Sequence, residues 1–487
     1  MSHTGHTGHT GPMLAPGGSS NRWLILANVS LGTFMATLDG SIANVALHTI
    51  AGDLGASLQS AQWVLTAYLL TICAILPIMG KISDLFGRSR VYNYGFLLFS
   101  AGSALCALSG TLPLLIISRI IQAVGASCLM TNSQAIVAEI FTAGDRGKAI
   151  GIVGTMVSIG SLTGPGLGGI LVDYLGWPSI FWINVPIGVI GFAAGLYILP
   201  KGADRKPNEP FDFAGSALFM VGIVALLYTL NNGQEWGWSS AAVAAGSVLA
   251  AASLAAFYFW ERRTRYPMLD FSLYRNRTFA IGNIAALLSF VALFCISVML
   301  PYYMQNVLGF SAEKTGYIMM VNPVFMALVA PLSGWLSDKI GPNLLTTAGL
   351  SINALGFVLL NTMGVKESAW IVALHLALFG IGGGLFQSPN NSSIMGAVPK
   401  SKLGTAGSLN ALVRNVGMVT GIAVSVSLYS TRMNQLSGRV ADAEAALSSL
   451  HLVFWTAAGV CLFALAVSAR RITARGMPGP GNSGQAG

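Results

Sequence analysis

PIMGKISDLFGRSRVYNYG, residues 77–95, and PLSGWLSDKIGPNLLTTAG, residues 331–349, carry one pattern twice, at a single offset of 254 residues. The residues that coincide are of the kinds that shape turns and cap helices. They are Pro77/Pro331, Gly80/Gly334, Ser83/Ser337, Asp84/Asp338, Gly87/Gly341 and Gly95/Gly349. One pattern that recurs this far along the chain indicates two related halves, each with the same turn.

The composition indicates the environment of the two halves. The chain has 487 residues, of which 54% are hydrophobic and only 9% are charged. A water-soluble domain carries roughly 25% charged residues, so we expect a polytopic membrane protein. The net charge of +9 indicates loops beside anionic lipid rather than a nucleic-acid partner. The five cysteines lie in apolar runs without the spacing of metal ligands, so neither a metal nor a cofactor is expected.

Membrane-spanning helices need about 20 mostly apolar residues. The sequence contains fourteen such stretches, and the glycines and prolines within them are tolerated because neighbouring helices satisfy the freed backbone groups. The predicted spans are 22–47, 59–80, 91–110, 112–136, 147–172, 179–200, 212–231, 240–260, 279–305, 314–336, 343–363, 368–392, 403–429 and 448–469.

The basic residues predict the orientation. With the N-terminus inside, 20 of the 26 Lys and Arg fall on the cytoplasmic side, 4 fall outside, and Arg119 and Arg414 remain within spans. This bias follows the positive-inside rule and predicts a bacterial-type inner-membrane protein with both termini cytoplasmic. Both copies of the repeat then lie in cytoplasmic loops, as expected for two halves that run in parallel.

The parallel repeat predicts an all-α membrane fold of two six-helix bundles, with spans 7 and 8 inserted between them. The segments are a disordered cytoplasmic tail at 1–21, an N-terminal bundle at 22–200, the inserted spans with cytoplasmic linkers at 201–278, a C-terminal bundle at 279–470 and a second cytoplasmic tail at 471–487. We expect this unit to be a monomer surrounded by membrane lipid.

Five stretches resemble a known family. GKISDLFGR (80–88) resembles the loop between spans 2 and 3 of the major facilitator superfamily. LDGSIANVAL (38–47), SRIIQAVGAS (118–127) and GSLTGPGLGGIL (160–171) are similar to motifs in spans 1, 4 and 5 of its fourteen-span drug:proton antiporters, and FWINVPIG (181–188) adds to the match. The resemblance covers nearly the whole chain and implies the major facilitator fold. Three positions depart from the family's usual residues: Ser41 replaces Thr, His48 replaces Pro and Pro178 replaces Arg.

GPGLGG at 164–169 fits the spacing of a dinucleotide-binding loop but lies within a membrane span, so NAD binding is not expected. Gly160, Gly164 and Gly168 recur every four residues and form one smooth helix face, which permits close approach of another span. Pro165 favours a bend, and Gly169 follows it. Ordinary helix packing is the simpler alternative. The resemblance implies a pliable contact between the two halves that seals the outer side.

Charges inside spans indicate function, because they are costly in lipid. Asp39 lies eight residues before Leu47, so roughly 12 Å below the outer end of span 1, and Arg119 lies six residues beyond Pro113, roughly 9 Å below the outer end of span 4. Similar depth permits pairing. We interpret Asp39 as the proton carrier and Arg119 as its partner, with a permanent structural ion pair as the alternative.

The repeat loop supplies candidate gating residues. By resemblance, Asp84 latches the cytoplasmic ends together, with the N-terminus of span 13 near Ser401 as partner, because the helix dipole favours an anion there. A turn or helix cap is the alternative. Asp338 is the copy in the second half, where Pro342 and Asn343 replace the basic pair after the glycine. The remaining gating candidates of this loop are Gly80, Gly87 and Arg88.

Polar, aromatic and thioether side chains in the second half form the candidate substrate surface, because such residues suit adaptable apolar ligands. Packing between helices is the alternative for each of them. Arg414 has no obvious acid in spans 9–14, so it either bonds carbonyls or attracts an anionic substrate group. The set is Phe290, Phe294, Met299, Tyr302, Asn322, Phe325, Gln387, Asn390, Asn410 and Arg414.

We therefore expect an exporter that exchanges protons for amphipathic, cationic or neutral drug-like compounds by alternating access. A dedicated exporter of an endogenous metabolite, an antibiotic or a siderophore is the nearest alternative. A non-transporting receptor or scaffold is a second, and Asp39 and Arg119 argue against it. A membrane enzyme is a third, and no nucleophile triad, metal cluster or phosphate-binding loop in the sequence supports it.

Overall fold

The computed structural model describes residues 19–56, 58–141, 144–200, 210–436 and 441–473. The predicted tails at 1–21 and 471–487 lie largely outside these residues. Where the structure does describe them, residues 19–21 and 471–473 continue the first and last helices, so the helices extend past both predicted tail boundaries.

Fourteen long helices cover the described chain, one at each predicted span. The first eight are α1 Ser19–Asp53, α2 Trp63–Phe86, α3 Arg88–Ala107, α4 Leu112–Ile140, α5 Arg146–Leu175, α6 Asn184–Ile198, α7 Phe213–Trp236 and α8 Ala241–Arg263. The last six are α9 Arg277–Tyr302, α10 Val321–Ile340, α11 Pro342–Leu360, α12 Ala369–Gly396, α13 Leu403–Leu436 and α14 Asp442–Thr473. Short helical segments at Ser179–Trp182 and Ala312–Met319 precede α6 and α10.

By length and composition alone, fewer than fourteen helices qualify as membrane spans. Of the described helices, twelve are long and apolar enough to cross a membrane, and thirteen if the bent α5 counts as one span. The remaining predicted span, 91–110, corresponds to α3, which has 20 residues but begins with Arg88, Ser89 and Arg90. The count of fourteen spans is therefore not confirmed.

The helices pack in two groups. In the first group, α1–α6, α3 lies along α4, and α1 lies along α5. In the second group, α9–α14, α9 packs on α13 and α14, while α12 packs on α10 and α11. The groups meet where α5 packs on α10 and where α13 packs on α2 and α4. The inserted α7 and α8 pack on each other, and α7 also contacts α2 and α13.

The repeated sequence forms the same turn twice. Gly87 ends α2 with φ of 98°, and Gly341 ends α10 with φ of 86°. Each glycine N–H donates to the carbonyl of the repeat serine, Ser83 or Ser337. Side chains rarely adopt this left-handed backbone, which is why glycine recurs at this position. Both turns lie at one end of the bundle, which we call the basic end because it carries Lys81, Arg88, Arg146, Lys339 and Lys400.

Candidate functional site

Asp39 and Arg119 lie in contact inside the first group, as their similar depths predicted. Arg119 Nη1 donates to Asp39 Oδ2 over 2.6 Å, and both side chains are fully buried. Burying such a pair costs desolvation free energy, and removing one partner costs more. The pair is therefore stabilising only if hydrogen bonds of good geometry satisfy both side chains.

Two amide side chains complete the pair, Gln122 on α4, the helix of Arg119, and Asn184 on α6. Gln122 Nε2 donates to Asp39 Oδ1 at 2.8 Å and to Ser103 Oγ at 2.7 Å, while Gln122 Oε1 accepts from Arg119 at 2.6 Å. Asn184 Nδ2 donates to Asp39 Oδ1 at 3.0 Å. Side chains of α4 and α6 therefore bind the carboxylate that α1 carries, and Ser103 of α3 holds Gln122 in place.

Aromatic rings enclose the guanidinium. The Tyr68 ring centroid lies 4.1 Å from Arg119 Cζ, and the Phe181 centroid lies 5.5 Å away. Arg119 Nε donates to the Val64 carbonyl at 3.2 Å. Within the described part of the chain, Arg119 Nη2, the Tyr68 hydroxyl and Asn184 Oδ1 are buried without a hydrogen-bond partner. An unmet buried group costs roughly 1–3 kcal/mol, so these three atoms are the least stabilised part of the network.

A second site lies between the two groups of helices. It is a cavity of about 830 Å³, including its opening to solvent. The first group supplies its wall from α1, α4 and α5, and the second group from α9, α10, α12 and α13. Residues from the first group are Gly32, Thr33, Ala36, Thr37, Leu129, Met130, Ser133, Gln134, Ile150, Val153, Gly154 and Val157, and those from the second group are Phe290, Met326, Ala330, Gln387, Ser388, Asn391, Gly407, Asn410, Ala411 and Arg414.

The cavity contains four of the ten predicted substrate residues: Phe290, Gln387, Asn410 and Arg414. The other six are not among the lining residues. Met299 is buried in the core of the second group, and Asn390 donates to the Gly282 carbonyl. Tyr302 packs on Tyr429. Phe294 packs against Gly421, and Asn322 and Phe325 both pack against Gly380.

Three amides meet at the cavity wall. Asn410 Nδ2 donates to Gln134 Oε1 at 2.7 Å and to Asn391 Oδ1 at 3.0 Å. Gln134 belongs to the first group, so this contact bridges the two groups inside the cavity. The sequence interpretation missed Gln134 and chose Asn390 instead of Asn391. A polar pair at Thr33 and Thr37, one turn apart in an apolar span, was a further available signal.

Asp84 closes the basic end on one side. Its carboxylate accepts hydrogen bonds from Gly404 N at 3.2 Å, Thr405 N at 3.1 Å and Thr405 Oγ1 at 2.7 Å, in the first turn of α13. Gly80 lets α2 approach this turn, because a Cβ there would lie 2.3 Å from Ser408 Oγ. The partner is the helix start that the sequence indicated, a few residues beyond Ser401.

Asp338 makes the equivalent contact on the other side. Its carboxylate accepts from Gly147 N at 3.0 Å and Lys148 N at 3.2 Å, in the first turn of α5. Gly334 takes the part of Gly80, since a Cβ there would lie 2.2 Å from the Gly147 carbonyl oxygen. The fifth helix of each group is thus held by the repeat aspartate of the other group.

Arg88 reinforces the first contact. It donates to Asp84 Oδ1 at 3.2 Å, to Glu139 Oε2 at 2.9 Å and to the Lys400 carbonyl at 2.6 Å. The second copy has no arginine at this place, which leaves the Asp338 contact with fewer supports.

The linker after α8 is tied to the same end. Lys402 donates to Asp270, and Asn276 Nδ2 donates to the Ala397 carbonyl at 2.9 Å. Partial burial acts to raise the pKa of Asp270, but hydrogen bonds from Lys402 and Ser272 outweigh it and hold that pKa below its ordinary value. The inserted α7 and α8 are therefore coupled to the start of α13.

The glycine face of α5 packs against α1, within the first group. A Cβ on Gly164 would lie 1.9 Å from Ser41 Oγ, one on Gly168 2.7 Å from Ile42 Cγ1, and one on Gly160 3.0 Å from the Phe34 carbonyl oxygen. Ser41 Oγ donates to the Gly160 carbonyl at 3.0 Å. In this conformation the partner is α1 rather than the second group.

Gly169 is turned away from that contact. A Cβ on Gly169 would meet nothing within 4 Å. The segments of α5 on either side of Pro165 are inclined by 41°. The side chain of Pro165 lies outside the described residues.

Two groups of membrane-spanning helices surround a cavity with polar and apolar walls. Two equivalent carboxylate contacts close the cavity at one end. This is the architecture of a small-molecule transporter. The chain belongs to the Major Facilitator Superfamily, whose profile matches residues 29–422.

Individual relatives carry more specific names. The chain is 37% identical to the riboflavin transporter RibZ of Clostridioides difficile, over 91% of this chain and 96% of that protein. It is 33% identical to the multidrug transporter protein MdtP of Bacillus subtilis, over 87% and 78%. The crystal structure of the human organic anion transporter MFSD10 matches with a TM-score of 0.65 over 92% and 99% of the two chains, and at 17% identity this likeness concerns the fold alone.

Proposed function

We propose that this protein is a proton-coupled antiporter that exports amphipathic compounds across the inner membrane. The observation that carries the proposal is the buried Asp39 network, in which one carboxylate is held by Arg119, Gln122 and Asn184. A membrane carboxylate that binds and releases a proton must exchange charged partners as it titrates, and this network provides them.

The proton site and the cavity are separate in this proposal. Asp39 is fully buried and is not part of the cavity wall, whereas Thr37, two residues earlier on α1, is. Gln122 and Gln134 lie on α4 and are twelve residues apart, which is roughly 18 Å along a helix. Protonation of Asp39 therefore acts on substrate through movement of α1 and α4 rather than through direct competition.

The proposed architecture has fourteen spans, with 22–200 and 279–470 as two bundles, 201–278 as the insertion, and both termini cytoplasmic. Helix α3 is the least apolar of these spans. We include it among the fourteen because it packs along α4 within the first group. The basic end faces the cytoplasm, so the described conformation is closed on that side.

A second candidate is a dedicated carrier of one aromatic metabolite. The observation that favours it is the 37% identity to a riboflavin transporter over nearly the whole of both chains. A multidrug exporter moves chemically unrelated compounds, whereas a dedicated carrier moves only close analogues of its substrate.

The test uses inside-out membrane vesicles with an acid interior. Uptake is measured for ethidium, riboflavin and 1-naphthaleneacetate, with and without the pH gradient. We expect gradient-driven uptake by the wild type, its loss in Asp39→Asn, and no change in Asp53→Asn, which makes the same substitution at an exposed position of α1. Movement of riboflavin alone would favour the dedicated carrier.

Removing one partner of a buried ion pair costs roughly 3–5 kcal/mol, so we expect Asp39→Asn to be less stable than the wild type. The double variant Asp39→Asn with Arg119→Gln removes both charges and serves as the folded reference. Uphill uptake by a folded variant that lacks the Asp39 carboxyl group would refute this role of Asp39.

A further inference from the structure

We propose that the transported compound is an amphipathic organic anion whose acidic group binds Arg414. This inference rests on the proposed transport function and names the substrate class of its cavity. It revises the expectation of a cationic or neutral substrate.

Of the described residues that line the cavity, Arg414 is the one with a titratable side chain. Within the described part of the chain, no Asp or Glu lines the wall, although the full sequence has 17 of them. A cation that enters this space meets a like charge and no counter-charge, whereas an anion meets its complement. In a low-dielectric cavity between membrane spans, this difference in charge decides which ligand binds.

The guanidinium of Arg414 has no hydrogen-bond or ion-pair partner within the described chain. It lies eleven residues beyond the start of α13, roughly 16 Å along the helix and therefore near the middle of the membrane. Arg119, the other arginine within a span, instead donates to Asp39 and Gln122. A cation kept at this depth without a protein partner indicates a ligand that provides one.

The neighbouring residues define the rest of the ligand. Gln134, Asn391 and Asn410 line the same cavity and offer amide groups to a polar substituent. Phe290 packs against Gly417, one turn beyond Arg414, where a Cβ would lie 2.8 Å from that of Phe290. An aromatic or aliphatic body beside a carboxylate, sulfonate or phosphate matches this combination.

Export of such an anion also responds to membrane voltage. Exchange of a monoanion for one proton moves two charges in the same electrical sense, whereas exchange of a monocation for one proton moves none. An interior-positive potential, imposed with potassium and valinomycin on inside-out vesicles, is expected to accelerate uptake of 1-naphthaleneacetate at a constant pH gradient.

Binding is tested with three probes that share one ring system: 1-naphthaleneacetate, its neutral amide 1-naphthaleneacetamide, and the cation 2-(1-naphthyl)ethylammonium. Equilibrium dialysis with the purified protein in detergent gives each Kd. We expect the carboxylate to bind roughly 10-fold to 100-fold more tightly than the amide, as for one charge-assisted hydrogen-bonded pair, and the ammonium to bind most weakly.

Arg414→Gln is expected to abolish the preference for the carboxylate and leave the Kd of the amide unchanged. Arg414→Lys retains part of the preference. Arg432→Gln, near the other end of the same helix, is the matched control and keeps all of it. A merely structural role for Arg414 would weaken all three probes together.

The proposal is overturned if the folded wild type binds the ammonium as tightly as the carboxylate, if Arg414→Gln keeps the preference, or if no probe binds. These outcomes are distinct from failure of the transport proposal. If an anion binds through Arg414 but its transport is not driven by a proton gradient, the proposal of proton coupling is wrong and the proposed substrate class is retained.

Discussion

Asp84 and Asp338 occupy equivalent positions of the repeat, and each accepts hydrogen bonds from the first turn of a helix in the other group. The positive end of a helix dipole stabilises a carboxylate at such a place. Asp84 has two supports that Asp338 lacks, the Thr405 hydroxyl and the Arg88 guanidinium. The two contacts at the basic end are therefore alike in geometry and unequal in strength.

We predict that Asp84→Asn opens the basic end more than Asp338→Asn does. A charge-assisted hydrogen bond contributes about 1.5–3 kcal/mol, and Asp84 accepts more of them. The measurement is labelling of a cysteine at Thr37, on the cavity wall, by an impermeant maleimide added from the basic end. Labelling should rise strongly in the first variant and modestly in the second.

The control is the Thr37→Cys protein without either substitution, which should label slowly from that side. The five native cysteines are all buried, so the background is low. Equal labelling of the two variants, or a larger effect of Asp338→Asn, would show that Arg88 and Thr405 do not strengthen the Asp84 contact.

At the scale of single elements, α1 and α5 are joined by a contact that admits no side chain. Gly164 faces Ser41, and the hydroxyl of Ser41 bonds across to the carbonyl of Gly160. Small residues at a helix interface allow such approach within a membrane. Because α1 carries both Asp39 and part of the cavity wall, its seating on α5 bears on both sites.

We predict that Gly164→Leu inserts into the membrane but loses transport. Overpacking a close contact costs about 1–3 kcal/mol and displaces the backbone, here between α1 and α5. The readout is gradient-driven uptake in inside-out vesicles, normalised to the amount of monodisperse protein. Gly166→Leu is the matched control, since a Cβ at Gly166 meets nothing within 4 Å.

A milder pair keeps this test informative if the leucine variant is unstable. Gly164→Ala should impair transport, and adding Ser41→Gly should restore part of it by removing the side chain that the new methyl group meets. Wild-type uptake by Gly164→Leu, or no rescue of Gly164→Ala, would mean that this contact is not required.

At the scale of the whole molecule, the loops that carry most of the basic residues lie at one end of the bundle. The positive-inside rule predicts that this end faces the cytoplasm. We predict that a cysteine at Arg275 reacts with an impermeant maleimide only from the cytoplasmic side, and that a reporter fused after Gly487 is cytoplasmic. Labelling in intact cells and in inside-out vesicles distinguishes the sides.

Lys366→Cys is the matched control, because Lys366 is exposed in the loop between α11 and α12 at the other end of the bundle. It should label only in intact cells. External labelling at Arg275 would contradict both the proposed orientation and the fourteen-span architecture.

The sequence by itself determined the membrane class, the position of every long helix and the parallel repeat. Each follows from composition or linear spacing: an apolar stretch of sufficient length must become a helix in lipid, whatever it later packs against. It also indicated that Asp39 meets Arg119 and that Asp84 meets the start of α13. A carboxylate within or beside a span is stabilised by few kinds of partner, and the N-terminus of a helix is one of them.

Only the tertiary structure decided which face of each helix meets which neighbour. Asn391 rather than Asn390 lines the cavity, Gln134 joins it from the first group, and Gly164 meets α1. Lipid and protein interior are both apolar, so the periodicity of a span does not distinguish the face that meets lipid from the face that meets another helix. The anion preference that we propose depends on the tertiary structure too, because it rests on Arg414 in the cavity wall and on the lack of a carboxylate among the described lining residues.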